Sequence, residues 1–266
     1  MNKKAVILGC GNSAGVPAIG NDWGKCDPNE LRNRRTRCCV AITDGGKNLI
    51  IDTGPEFKMQ FNSTDLSCPD AVLYTHAHAD HIAGIDELRW LAELNKTVIP
   101  TYGSRETMDE IVERFNFLFK PSRPDLYVQY LQAHFWEETD YYKQHEVAGF
   151  KFTLVPLDHE TVTASGFRFG DFAYTTDMAR MLPESVEALK GIKTWVVDCA
   201  AYKSMNDRVH CTFEKIVEYN KVIGAEQVYL TAMGKGMDYQ TILNETPDGY
   251  APAYDGLEII FDDTVF

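Results

Sequence analysis

A short apolar run, Ala71-Val72-Leu73-Tyr74, passes directly into Thr75-His76-Ala77-His78-Ala79-Asp80-His81, and few folds accommodate that succession. Three imidazoles and a carboxylate fall within positions 76–81. On an extended strand end His76 and His78 project to the same side, because successive side chains alternate. Asp80 and His81 follow as the chain bends into a loop or helix start, so they face the same cavity from a second direction. Imidazole is the commonest side-chain ligand for zinc and related metals, and a carboxylate suits a second, harder ion. The spacing predicts two adjacent metal positions.

The rest of the chain supplies sheets to carry such a site. Strands are expected at 5–8, 39–43, 48–51 and 71–74, with Asp44-Gly45-Gly46 as a hairpin connection between the second and third. Apolar residues at helical spacing (Ile85, Leu88, Leu91, Leu94, with Trp90 alongside) predict a helix over 82–94. A second helix is expected over 106–118, stopped before Pro121. Strands follow at 127–135, 150–155, 166–169 and 172–175, then a helix over 183–189 with Pro183 in its first turn. A strand at 194–197, a helix over 213–222 and a strand at 227–230 complete the pattern. The alternation fits mixed sheets covered by helices in one domain, 1–266. An aromatic-rich insertion around 107–146 could act as a flap over the site or as a dimer contact.

Two further positions share the character of the histidine cluster. His159 follows the expected strand that ends near Pro156, and Asp177 follows the next strand but one. Ligands at successive strand ends converge on one rim of a sheet. Asp52, at another strand end, is placed to hydrogen-bond a ligating histidine and fix its tautomer.

Together, Asp52-Thr53-Gly54, His76-x-His78-x-Asp80-His81, Asp158-His159 and Thr176-Asp177 resemble the metallo-β-lactamase-fold hydrolases. The opening Leu8-Gly9-Cys10-Gly11-Asn12-Ser13-Ala14-Gly15-Val16-Pro17 is similar to the branch of cyclic phosphodiesterases from phosphonate operons. The resemblance implies an α/β (α+β) fold, an αββα sandwich of two mixed sheets flanked by helices. By the same resemblance His76, His78 and His159 hold one metal ion, Asp80 and His81 a second, and Asp177 bridges them. The family completes its second ion with a late histidine; here Thr231 is followed by Ala232, which cannot ligate. A loop histidine, His210, is implied as the proton donor to the leaving group, and Asp80 as a residue that positions the attacking oxygen. Zinc suits the imidazole-rich position, and manganese is an alternative where Asp80 and Asp177 dominate.

The expected activity is therefore that of a metal-dependent hydrolase, a phosphodiesterase that attacks a small-molecule substrate with a metal-bound hydroxide. The alternatives are hydrolysis of another ester, lactone or thioester, or a non-catalytic metal-binding relative with a decayed second site at Ala232. A formal net charge of −13, from 26 basic and 39 acidic residues, argues against broad nucleic-acid binding. Even so, Arg32, Arg34, Arg35 and Arg37 form a local basic run that could steer an anion, or simply be solvated. No membrane span is expected, and irregular cysteine spacing without a secretory leader points to the cytoplasm. A homodimer remains open. Cys26, Cys38 and Cys39 could help bind a structural zinc, but no Cys-x-x-Cys pair exists and free thiols account for them as well. Gly9, Gly11 and Gly15 invite a dinucleotide-loop reading, which Pro17 and Gly20 argue against by disfavouring the helix it requires. Close backbone approach beside the metal site explains these glycines better.

Overall fold

The computed structural model of the chain describes residues 3–120, 123–203 and 208–264. Two sheets face each other. The first runs in the order β15-β1-β2-β3-β4-β5-β6. Its strands are β1 (Lys3–Gly9), β2 (Cys39–Asp44), β3 (Lys47–Ile51), β4 (Ala71–Leu73), β5 (Ile99–Ser104), β6 (Leu131–Trp136) and β15 (Leu257–Phe261). The second runs β11-β8-β9-β10-β12-β13-β14, with β7 (Gln144–Val147) paired to β8. It is built from β8 (Phe150–His159), β9 (Val162–Phe169), β10 (Phe172–Thr175), β11 (Arg180–Met181), β12 (Thr194–Asp198), β13 (Gln227–Thr231) and β14 (Tyr250–Pro252). In both sheets an antiparallel half passes into a parallel half, β3-β4-β5-β6 in one and β10-β12-β13-β14 in the other.

Strict alternation explains why the first sheet is covered on both faces. Ala5, Ile7, Val40, Ile42, Leu49, Ile51, Ala71 and Leu73 point into the core between the sheets. Their neighbours Val6, Leu8, Cys39, Ala41, Ile50 and Val72 point the other way, into a second core. That outer core is closed by α1 (Phe57–Asn62), α2 (Ala79–Ile82), α3 (Glu87–Asn95), α4 (Arg105–Arg114) and α5 (Asn116–Phe119). Helices α6 (Pro183–Ala188), α7 (Phe213–Ile223) and α8 (Tyr239–Glu245) contribute Val186, Ile216, Ile223 and Ile242 to the core around the second sheet. The arrangement is the expected four-layer sandwich. Between β2 and β3, Gly45 and Gly46 both take positive φ (57° and 95°), as a two-residue hairpin turn requires.

Several predicted boundaries move. The helix expected over 82–94 is broken at Gly84. The backbone N–H of Gly84 is drawn to Thr53 O at 2.8 Å, and a Cβ there would lie 2.1 Å from Gly54 O. Leu94 and Trp90 of that pattern are exposed. The helix expected over 106–118 is interrupted at Phe115, whose backbone (φ −121°, ψ 34°) leaves the helical region, and Pro121 lies outside the described residues. The strand expected from 127 starts at Leu131. Strands β5, β7, β11, β14 and β15 and helices α1 and α8 had not been anticipated. The aromatic-rich 107–146 segment supplies most of α4, then α5, β6 and part of β7. Within it Trp136 is buried against Phe152 and Phe167, whereas Phe117 and Tyr127 are exposed. Among the described residues no helix is long and apolar enough to cross a membrane.

Candidate metal centre

The parallel strands β3 and β4 bring Asp52 and the 76–81 segment to one sheet edge, and β8, β10 and β12 bring His159, Asp177 and Asp198 to the facing edge. The two edges are tied together where Ser165 N–H of β9 donates to Thr75 O at 2.9 Å. After β4 the chain stays extended through His78 (φ −67°, ψ 148°), which opens the single turn of α2 and presents Asp80 and His81 from it. The loop after β3 packs against that turn: Thr53 N–H donates to His81 O at 2.7 Å, and a Cβ on Gly54 would meet Asp80 O at 2.4 Å. Only glycine permits this approach.

The sequence-predicted ligands fall into two groups that share one member. His76, His78, His159 and Asp177 form the first; Asp80, His81 and Asp177 form the second. In the first, His78 Nδ1 lies 2.9 Å from His76 Nε2 and 3.3 Å from His159 Nε2, and Asp177 Oδ2 is 3.7 Å from each of the two Nε2 atoms. Donors about 2.0–2.1 Å from a tetrahedral ion stand about 3.3 Å apart, which is the middle of this range. In the second group His81 Nε2 lies 3.3 Å from Asp177 Oδ2 and 3.5 Å from Asp80 Oδ2.

The outer partners decide which nitrogen of each ring is free. His159 Nδ1–H donates to Val209 O at 2.9 Å, since a carbonyl only accepts. The Thr75 hydroxyl gives its proton to Asp52 Oδ2 at 2.9 Å, so at 3.0 Å it accepts from His76 Nδ1–H. His81 Nδ1–H donates to Asp52 Oδ2 at 2.7 Å, as the sequence anticipated for that carboxylate. All three rings therefore turn a lone pair on Nε2 inward, while His78 contributes Nδ1. Convergent lone pairs in a pocket walled by the buried His76, His159 and Asp177, with His78 at its exposed rim, fit a cation.

Electrostatics agree with that fit. Burial depresses His76, with His81 adding to the effect, and burial likewise lowers His78. Burial also opposes charge on Asp177, yet the neighbouring His81 holds its carboxyl well below the usual carboxylate range. For His81 burial again works against the charged form, but Asp177 and Asp52 on either side raise it well above an ordinary histidine. Two carboxylates around one imidazole call for a positive charge at Nε2, a proton in the empty pocket or a cation that takes the proton's place and leaves the Nε2 lone pair to ligate it.

Asp198, not anticipated from the sequence, is fully buried at the end of β12, where it accepts from Met178 N–H and Ala200 N–H, both at 2.9 Å. It also accepts from His210 Nδ1–H at 2.8 Å. Burial lowers the His210 pKa, but the Asp198 hydrogen bond and charge reverse this and lift it to about 9. The His210 ring lies 5.3 Å from that of His159, and Asp177, Asp198 and His210 form a third close group. Residues 206 and 207 of the loop that carries His210 lie outside the described residues. The signal for Asp198 was present: Val196-Val197-Asp198, like Ile50-Ile51-Asp52, puts an aspartate at the end of an apolar strand.

Other sequence readings separate. Cys26 Sγ lies against Lys235 O, Cys38 Sγ against Gly11 O and Cys39 Sγ against Asp52 O, so the three thiols do not converge on one point. Arg35 is buried, bonded to Met237 O and Asn33, while Arg32 pairs with Glu30 and Arg37 with Glu56, so most of the basic run is used internally.

The family model described as the beta-lactamase superfamily domain matches residues 47–233. The chain belongs to the beta-lactamase superfamily. A crystal structure of a new diphosphatase from the PhnP family superimposes with a TM-score of 0.87 at 30% identity, covering 98% of each chain. That similarity supports the resemblance read from the opening segment. The metallo-β-lactamase-fold protein YhfI of Bacillus subtilis shares the fold at a TM-score of 0.75 and 18% identity, over 98% of this chain and 99% of that one. Among curated proteins, an octanoyltransferase of Porphyromonas gingivalis is 29% identical over 269 residues. The match takes in 98% of this chain and 52% of that protein, so the chain spans about half of that relative's length.

Proposed function

We propose that the protein is a phosphodiesterase whose hydrolysis of small anionic phosphodiesters, diphosphate linkages included, depends on a pair of divalent ions. The observation that carries this reading is the position of Asp177 in both ligand groups, which makes one carboxylate a bridge between two cation positions. Paired cations suit displacement at phosphorus, where attacking and leaving oxygens both need neutralising. Support also comes from the diphosphatase of the PhnP family, similar along its whole length.

In this reading His76, His78 and His159 would hold the first ion, Asp80 and His81 would hold the second, and Asp177 would serve both. Zinc matches the three-imidazole position, and manganese is the alternative at the carboxylate-rich one. When bound, the ions supply a water acidified towards neutrality and positive charge against the phosphoryl oxygens. The remaining work falls to the chain. Asp80 accepts a hydrogen bond from the attacking oxygen and orients it. Thr75, Asp52 and Val209 keep the ligating rings in the tautomers described above. His210, held by Asp198, carries the proton that the departing oxygen takes up.

A second reading is favoured by the octanoyltransferase relative, whose name denotes acyl transfer: hydrolysis of an acyl ester or thioester at the same centre. Metal content measured together with turnover of bis(p-nitrophenyl) phosphate, a nucleoside diphosphate derivative and a p-nitrophenyl acyl ester separates the readings. Two ions with phosphodiester turnover that disappears in Asp80→Ala supports the proposal. Turnover confined to the acyl ester favours the second reading. One ion and no turnover on the panel would leave a non-catalytic relative.

A further inference from the structure

The arginine run that the sequence offered for steering an anion is spent within the fold, where Arg32, Arg35 and Arg37 each have partners. A different arginine stands at the metal centre. Arg114 lies in the last turn of α4, and its Nη1–H donates to the backbone carbonyl of Ala77 at 3.0 Å. Ala77 is the residue between the candidate ligands His76 and His78. From that nitrogen through the carbonyl to the His78 ring the path along the bonds is about 11 Å, so the separation through space is shorter.

Arg114 stands on the open side of the centre. His76, His81, His159 and Asp177 are buried, whereas His78 and Ala79 are exposed and Asp80 is half-buried. A molecule reaching the cation positions therefore passes over the 78–80 segment, beside the carbonyl that Arg114 holds.

The guanidinium has capacity to spare. It carries five N–H donors in one plane. Ala77 O takes one, and Glu110, four residues earlier on the same helix, takes another. The Arg114 and Glu110 side chains are 46% and 42% exposed, and an exposed pair of this kind is easily exchanged for a stronger acceptor. The bond to Ala77 O meanwhile restrains the side chain, so a ligand that uses the remaining donors orders little that is not already ordered. A planar fork of N–H groups matches the oxygens of a phosphate or carboxylate. In a chain of net charge −13, a cation at the entrance also offsets the repulsion that an anionic substrate meets.

We propose that Arg114 is a specificity residue, binding a second anionic group that the substrate carries away from the phosphorus held at the ions. The inference rests on the phosphodiesterase reading given above and adds that the preferred substrates bear at least two anionic groups. Arg114 contributes to binding, and no bond is made or broken at it.

The test is calorimetric titration of the metal-loaded protein with two matched ligands, propyl phosphate and propane-1,3-diol bisphosphate. Wild type should bind the bisphosphate about tenfold or more tightly than the monophosphate, as one hydrogen bond to a charged group contributes. Arg114→Gln, which keeps a donor for Ala77 O, should bring the two affinities together. Arg114→Lys should keep part of the difference, as a point charge without the fork. Arg208→Gln, at the exposed arginine two residues before His210, should keep the preference. Metal content and thermal midpoint are measured for each protein. A preference absent from wild type, or one that survives in Arg114→Gln, would overturn the assignment and leave the phosphodiesterase reading standing. So would an equal loss for both ligands in Arg114→Gln, the mark of a residue that only props the ligand segment. Failure of both ligands to bind metal-loaded wild type would overturn both readings. Should Arg114→Gln not fold, the fall in preference in Arg114→Lys decides.

Discussion

Replacing Asp52 by asparagine should weaken the second cation position without touching any ligand. Asp52 Oδ1 accepts from Thr75 N–H at 2.9 Å, and Oδ2 accepts from both Thr75 Oγ1–H at 2.9 Å and His81 Nδ1–H at 2.7 Å. An asparagine has one acceptor atom for these three donors. If its carbonyl stays on Thr75 N–H, its amide nitrogen faces His81 Nδ1. The ring must then accept there and move its proton to Nε2, which removes the lone pair aimed between Asp80 and Asp177. If the amide flips, its N–H group meets Thr75 N–H instead, a donor-to-donor contact in a fully buried place worth about 1–3 kcal/mol. The first orientation is the cheaper. Loss of such an outer partner costs about 10–100-fold in metal affinity, or about 1.4 to 2.7 kcal/mol. Chelator competition on wild type and Asp52→Asn measures the affinity, and long-range 1H–15N spectra of the zinc-loaded proteins identify the His81 tautomer. Retention of wild-type affinity for both ions, with the Nδ1–H tautomer unchanged, would refute the reasoning.

Three further outcomes follow from the same geometry. Gly84→Ala places a Cβ 2.1 Å from Gly54 O and 2.9 Å from Phe57 Cβ, so the thermal midpoint should fall by the equivalent of about 1–3 kcal/mol or more, and an unchanged midpoint would contradict the close approach. Asp255 accepts from Cys10 and Thr36, but burial outweighs those bonds and lifts its pKa to about 6. A folded pKa above the unfolded value of about 3.9 means that its contribution, about 3 kcal/mol, is complete below pH 4 and is lost as pH rises through about 6. Urea unfolding should show that slope in wild type and not in Asp255→Asn; equal slopes would rule it out. Finally, His210→Ala should slow hydrolysis of alkyl phosphodiesters about 10²–10⁴-fold, with a smaller loss for p-nitrophenyl esters, whose leaving group needs no proton. An equal loss for both would remove His210 from proton transfer.

Much of the site could be read from residue type and strand order, because ligands at strand ends converge wherever the strands go. His76, His78 and His159 needed only a parallel β4 and a long β8 to meet, and Asp177 only the next strand but one. What escaped was set by tertiary contact. The 82–94 periodicity cannot reveal that Gly84 is pulled onto Thr53, so one helix was expected where two occur. Strand β5 (Ile99–Ser104) lies between a polar stretch and a helix cap and carries a proline, which hid its parallel pairing with β4 and β6. Asp198 shares the apolar-strand signal of Asp52 but lies far in sequence from the 76–81 cluster, and its partner His210 reaches it only across a loop.

A crystal structure of metal-loaded protein, with anomalous scattering at the edge of the cation, tests the metal centre most directly. A peak is expected inside His76 Nε2, His78 Nδ1, His159 Nε2 and Asp177, at about 2.0–2.1 Å from the nitrogens, with a second on the Asp80/His81 side of Asp177. Metal-loaded, folded protein with no density between those three imidazoles would contradict it.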